Sequence, residues 1–270
     1  MMEPLTWRKI KSQGFVLFWM ILGFIALIPV LSLVIVVVVR GLYALFLDGF
    51  SAQNPYYAQA LLYSLLATII VAIITMLIAS PITLFSALYL CEWLSGKRLS
   101  FLMTWLRAFS DMPALLTGMV VVLGFPNTNS TWVTLLFLAV TLTVIGLPRF
   151  IRTTYDVFRT TSQVLREGAL AIGATKSQMI FKVLLPSHRA QVMAVFLQQL
   201  ARVIGETASL LLFVKGGQAI FLSVAIDHAV ASASHDALTR AYGFAFLLLL
   251  LIFIILLIAR RITSVANRML

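Results

Sequence analysis

From Phe15 to Val39 the chain carries no formal charge, and a run of that kind has few ways to fold. About 20 consecutive apolar residues suffice for a helix to cross the hydrocarbon core of a bilayer. Two more uncharged runs, Leu61–Leu90 and Tyr242–Ala259, repeat the pattern. Pro113–Phe125 and Thr131–Leu147 flank the turn-like stretch PNTNST, and the first of this pair is short, so its helix is expected to begin near Phe109. Val192–Val214 makes a sixth, interrupted by Arg202 and Glu206. With 61% hydrophobic and 11% charged residues, the chain reads as an all-α polytopic membrane protein with about six transmembrane helices. The second run is read as one span, tilted or kinked at Pro81, because the alternative hairpin would lack turn chemistry.

Basic residues then set the orientation. Arg8, Lys9 and Lys11, the pair Lys97 and Arg98 with Arg107, seven cations between Arg149 and Arg189, and Arg260, Arg261 and Arg268 fall on one side. Only Arg40, Lys215 and Arg240 fall on the other. The positive-inside rule places both termini and the 149–191 segment in the cytoplasm. The net charge of +11 is therefore a topology signal, attractive to anionic lipid, and no nucleic-acid partner is expected. The first apolar run is too long for a cleavable signal and lacks a small-x-small site. A lone Cys91 excludes an intramolecular disulfide and a multi-cysteine metal site. The neighbours Asp227-His228 and His235-Asp236 lack further ligands at helical spacing, so no metal is expected. Ile220, Phe221, Val224 and Ala225 suggest an interfacial or re-entrant segment.

Arg149–Gln191 is long for a structureless loop. Leu165, Ala169 and Ile172 share a helical face, Gly173 supplies a stop, and Thr175 with Gln178 has capping-box spacing. Met179/Val183 and Ile180/Leu184 give a second helix apolar stripes, and Pro186 marks its end or a bend. Two short cytosolic helices around a glycine corner are expected. Such a pair could lie on the membrane surface, or its small residues could admit a partner's groove; periodicity leaves both open.

The stretch Glu167-Gly168-Ala169, three residues, Gly173, nine residues, then Val183-Leu184-Leu185-Pro186 resembles the EAA signature of bacterial ABC-transporter permeases. Gly168 stands for the usual central Ala and Val183 for Ile. The resemblance implies a type I importer permease fold. It also implies that Glu167, Gly168, Ala169, Gly173, Leu185 and Pro186 dock on a separate ATP-hydrolysing subunit. The chain itself has no phosphate loop; SGKR at 95–98 lacks the upstream glycine. It is expected to bind no cofactor, with ATP and Mg used by the partner, and to be no enzyme.

Intramembrane charges mark a pathway or a buried pair. Arg202 and Glu206 are four residues apart, expected on one helical face, either as a packing pair or as a transient anion contact with its counter-charge. The segment ARVIGETASLLL resembles the A-R-x-x-G-E-T-A-P-L-L stretch of phosphate-specific (Pst) permeases, with Ser209 in place of Pro. IRTTYDVFRTTSQVLREGALAIGAT and Pro113–Gly118 are also similar to that family. The resemblance implies a substrate route beside Arg202, Gly205, Glu206 and Thr207, with Arg152 at an inner gate or serving as an ordinary anchor. It implies two ATP-binding subunits, a second, paralogous permease, an external substrate-binding protein, and a bacterial or archaeal cytoplasmic membrane. Residues 1–270 read as one permease domain, with a core at 60–259 and the coupling loop at 149–191. Inorganic phosphate is the expected cargo, and tungstate or molybdate the alternative; a passive channel would need no docking loop, and a membrane enzyme would need a polar constellation that the spans lack.

Overall fold

The computed structural model describes residues 5–49, 55–123, 131–160, 163–206, 221–232 and 234–266. These residues form helices and no strand. Helix α1 covers Leu5–Tyr43 and continues into a π-helical turn at Ala44–Gly49. It is followed by α2 (Pro55–Glu92), α3 (Gly96–Ser110), α4 (Ala114–Leu123) and α5 (Thr131–Arg159). Then come α6 (Gln163–Ala171), α7 (Lys176–Met179), a second π-helical turn at Ile180–Leu184, and α8 (Leu185–Gly205). Helices α9 (Leu222–Ala231) and α10 (His235–Ala266) complete the chain.

Five helical stretches among the described residues are long and apolar enough to cross a membrane: Phe15–Phe46, Tyr57–Glu92, Val133–Arg159, Lys176–Gly205 and Asp236–Ser264. Large side chains of α1 from Phe15 to Leu33 are exposed around the helix, which suits a lipid-facing span. Its C-terminal end is tied to α10, where Arg40 Nη1 donates to Tyr242 Oη at 3.2 Å. Helix α2 accommodates Pro81 without breaking, as the sequence predicts.

Packing reveals the direction of each helix. Ala67 and Val71 of α2 pack with Leu135, Leu138 and Leu142 near the start of α5. At the other end, Ala87, Leu88 and Leu90 pack with Ile151, Tyr155 and Phe158. Helices α2 and α5 are therefore parallel, and the chain between Glu92 and Thr131 must return from one end of the bundle to the other. That requirement preserves a crossing for the third expected span, but with a different start. No helix begins at Phe109. Instead α3 stops at Ser110, Asp111 caps it with its N–H on Arg107 O, and α4 begins after Pro113. Pro113 lacks an N–H and restricts Met112, so a continuous helix through both is disfavoured.

Helix α8 runs antiparallel to α5, with the Phe150 and Phe196 rings 4.8 Å apart and Gln199 Nε2 donating to Gly146 O at 3.4 Å. Its C-terminal end packs on α10 through Ala201, Ile204 and Ile255. Hydroxyls on α2 and α5 are satisfied locally: Thr68, Thr75, Thr141 and Thr143 each donate to the carbonyl four residues back. In a water-free interior this keeps a buried hydroxyl from costing its desolvation. Where α2 meets α10, Tyr57 and Phe244 stack edge-on at 5.7 Å, and Tyr57 Oη donates to Arg240 O at 3.2 Å.

Candidate functional site

The segment from Gln163 to Leu184 forms the helix, glycine corner and helix expected. At the end of α6, Gly173 N donates to Leu170 O and Ala174 N to Ala169 O, the paired bonds of a Schellman cap. Gly173 has φ +84°, a left-handed value that a side chain disfavours. Thr175 then caps α7: its Oγ1 accepts from Gln178 N at 3.3 Å, and its own N–H donates to Gln178 Oε1 at 2.9 Å. Both halves of the capping box are made.

Beyond Met179 the second helix does not end at Pro186. It widens into the π-helical turn Ile180–Leu184 and runs on as α8, with Pro186 in the first turn. A proline ring crowds the carbonyl four residues back and removes a donor, and the wider turn absorbs both. Consequently the fifth span starts earlier than Val192 and its helix stops at Gly205, short of Val214.

The segment has an inner and an outer side. Ala169, Met179, Ile180 and Leu184 are buried in a core shared with α2, α3, α5 and α8, and Leu185 packs against it. Ala169 thus faces inward, although the EAA resemblance assigns it to docking. Glu167, Gly168, Gly173 and Pro186 lie on the outer side, and nothing stands within 4 Å of a Cβ added at either glycine. Ile172 follows the end of α6 and leaves the face of Leu165 and Ala169; it is 86% exposed, and Val164 is 78% exposed. Uncovered aliphatic side chains beside an open glycine surface suit a protein contact.

Two cations fasten this segment to the spanning helices. Arg166 Nη2 donates to Phe158 O at 2.9 Å, in the last turn of α5, while its Nε lies 3.0 Å from Glu92 Oε1. The Nη2 group also reaches Cys91 Sγ at 3.4 Å. Lys176 Nζ donates to Glu92 O and stands 4.8 Å from the centroid of the Trp93 ring. The last carbonyls of a helix have no partner within it and favour positive charge. Each cation therefore caps a different spanning helix, Arg166 on α5 and Lys176 on α2.

At the other end, α8 terminates beneath α9. Glu206 is extended (φ −73°, ψ 119°), and its N–H donates to Val203 O. Its carbonyl accepts from Ser223 Oγ at 3.4 Å, and Leu222 N donates to Thr68 Oγ1 at 3.1 Å. Because Glu206 has left the helix, it does not share a helical face with Arg202. The two form no ion pair among the described residues: Arg202 is exposed and Glu206 half-buried. Gly205 is exposed, with Ile252 Cδ1 3.3 Å from a Cβ built on it. Arg152 lies on α5, beyond the Phe150–Phe196 contact towards α6, whereas Arg202 lies on α8, beyond that contact towards α9. Thr207 and Ser209 fall outside the described residues, as does Ile220; Val224 and Ala225 are buried in α9.

Residues 79–265 match the family described as "Binding-protein-dependent transport system inner membrane component". The chain belongs to that family. It is a multi-pass inner-membrane component of a transport system, and the match runs from the C-terminal half of α2 through the two-helix segment into α10. Among related family members, the "Phosphate transport system permease protein PstA 1" of Mycobacterium tuberculosis (strain CDC 1551 / Oshkosh) is 26% identical over 98% of this chain and 93% of its own. The "Probable ABC transporter permease protein YqgI" of Bacillus subtilis (strain 168) is 31% identical over 51% of this chain and 47% of its own. Solved ABC importers share the fold. A chain of a bacterial transporter that imports the acidic polysaccharide alginate matches with TM-score 0.63 and 18% identity, over 96% of this chain and 100% of that one. A chain of the inward-facing MetNI methionine transporter matches with TM-score 0.60 and 19% identity, over 80% and 99%. The fold is thus that of a type I ABC importer permease.

Sequence reasoning about this permease missed Glu92, Trp93 and the anchoring role of Arg166 and Lys176. A signal existed. The chain has nine acidic residues, and Glu92 directly follows one of its longest uncharged runs.

Proposed function

We propose that this permease carries inorganic phosphate inward, driven by ATP that a separate subunit hydrolyses with Mg. The relative of nearly full-length coverage is named a phosphate transport permease, and that observation carries the cargo assignment. One of two ATP-binding subunits docks on Glu167, Gly168, Gly173 and Pro186, with Leu185 behind them; an external binding protein delivers the anion, and a second, paralogous permease completes the pathway and receives the other ATP-binding subunit. The termini and the two-helix segment face the cytoplasm of a bacterial or archaeal cell, on the side where the basic residues gather.

Closure of the ATPases moves the two-helix segment, and α8 conveys that movement to its outer end. There Arg202 offers a fixed charge with a fork of donors to a tetrahedral oxyanion. Glu206, Gly205 and Thr207 form the rest of the route, with the Glu206 carboxylate keeping the anion from binding too tightly to leave. Arg152 stands further in, as the last cation before release. No bond is made or broken in the cargo.

Uptake by the reconstituted complex, with phosphate, tungstate and molybdate in competition, tests the cargo. Arg202→Gln is expected to abolish phosphate uptake while ATPase subunits still co-purify; normal uptake would refute the pathway. Glu167→Lys and Gly173→Asp are expected to lose those subunits with folding intact, and retention by both would refute the docking surface.

A further inference from the structure

We propose that the cavity between the end of α2 and the start of α3 holds the phosphate headgroup of an anionic phospholipid. The cavity has a volume of about 680 Å³, and its walls include Tyr89, Trp93, Ser95, Lys97, Arg98 and Phe101. It rests on the reading of this end of the bundle as cytoplasmic, where anionic lipid is concentrated.

Two exposed apolar stripes converge on it. At the end of α2, Phe85 and Tyr89 share a helical face that Trp93 continues in the turn beyond; all three are exposed, and the Tyr89 and Trp93 rings stack with centroids 6.1 Å apart. On α3, Phe101, Trp105 and Phe109 follow the same spacing, with centroid separations of 6.0 Å and 5.8 Å. Between the stripes stand Lys97 and Arg98, both exposed and neither in an ion pair among the described residues. Lys176 adds a third cation across the Trp93 ring.

This combination selects an amphiphile. The stripes on membrane helices offer a bed for acyl chains, and aromatic rings favour the headgroup level of a bilayer. The basic pair at their junction supplies charge for a phosphodiester, with Ser95 as a neutral donor. A free phosphate ion would use the cations and leave the stripes bare. An acidic protein surface would likewise need no apolar bed.

The test uses native mass spectrometry of the full-length chain in mild detergent, with phosphatidylglycerol, phosphatidylcholine or inorganic phosphate added in separate arms. The wild type is expected to retain phosphatidylglycerol selectively. Lys97→Gln with Arg98→Gln should weaken that retention roughly thirtyfold, the order expected for two cations at an anionic surface. Phe101→Ala, which leaves the charges in place, should also weaken it. Equal phosphatidylglycerol retention by wild type and both variants overturns the proposal. So does saturation of the site by inorganic phosphate. Each of these outcomes is independent of the uptake competition that tests the cargo.

Discussion

Arg166 Nε stands 3.0 Å from Glu92 Oε1, and the Glu92 carbonyl accepts from Lys176, so both short helices hold the same residue of α2. The Glu92 side chain is only 7% exposed. The segment is therefore held to α2 and α5 by side chains as well as to α8 by the chain itself.

Removing the guanidinium strands that carboxylate. Arg166→Gln should destabilise the protein by about 3 kcal/mol, the cost of leaving one partner of a buried pair uncompensated. Adding Glu92→Gln should cost much less than the sum of the two single changes. A double-mutant cycle by thermal or denaturant unfolding checks this, and additive losses would mean that the pair carries no coupling.

Gly173 is needed for its backbone and not for its space. Gly173→Ala meets no atom within 4 Å yet must keep φ at +84°, so about 1 kcal/mol should be lost. Gly173→Asn should lose less, because Asn tolerates the left-handed region. Unfolding midpoints of the three proteins decide the order.

The Thr175 cap should show itself locally. Thr175→Ala removes the acceptor for Gln178 N and should cost about 1 kcal/mol, with faster hydrogen exchange at residues 176–179. Thr175→Ser should restore protection; unchanged exchange in the alanine variant would dismiss the cap as a stabilising element.

Gly243 lies against Tyr57, whose Oη would collide with any Cβ at that position. Gly243→Ala should cost about 1–3 kcal/mol through overpacking of α2 against α10. Tyr57→Phe removes the colliding oxygen, so the double variant should recover part of the loss. Failure of Tyr57→Phe to recover any of it would place the strain elsewhere.

The local features were legible in the sequence, and the distant ones were not. Uncharged runs gave the spans because lipid imposes length and apolarity directly on the chain. Gly173, Thr175 and Gln178 gave the corner because a cap is decided within a few residues. The α3–α4 break was signalled by Pro113, but the shortness of Pro113–Phe125 pulled the expected helix back across it. Glu206 was expected to continue the helix of Arg202, and its extended backbone follows from contacts with α9 that spacing cannot show. Arg166 and Glu92 are far apart in sequence, and only the parallel packing of α2 and α5 brings their ends together.

The π-helical turn at Ile180–Leu184 has an angular consequence. Its bonds reach one residue further back than those of an α-helix, as when Leu185 N donates to Ile180 O. Each residue of an α-helix rotates the chain by about 100°, so one residue accommodated in a turn re-phases everything beyond it. The azimuth of Arg202 relative to Glu167 is thus set at 180–184, a place that touches neither. Deleting one residue there would let the wide turn close to an ordinary α-helical one and keep Arg202 near its present azimuth, whereas deleting one residue further along α8 would swing it about a quarter of the way around the axis.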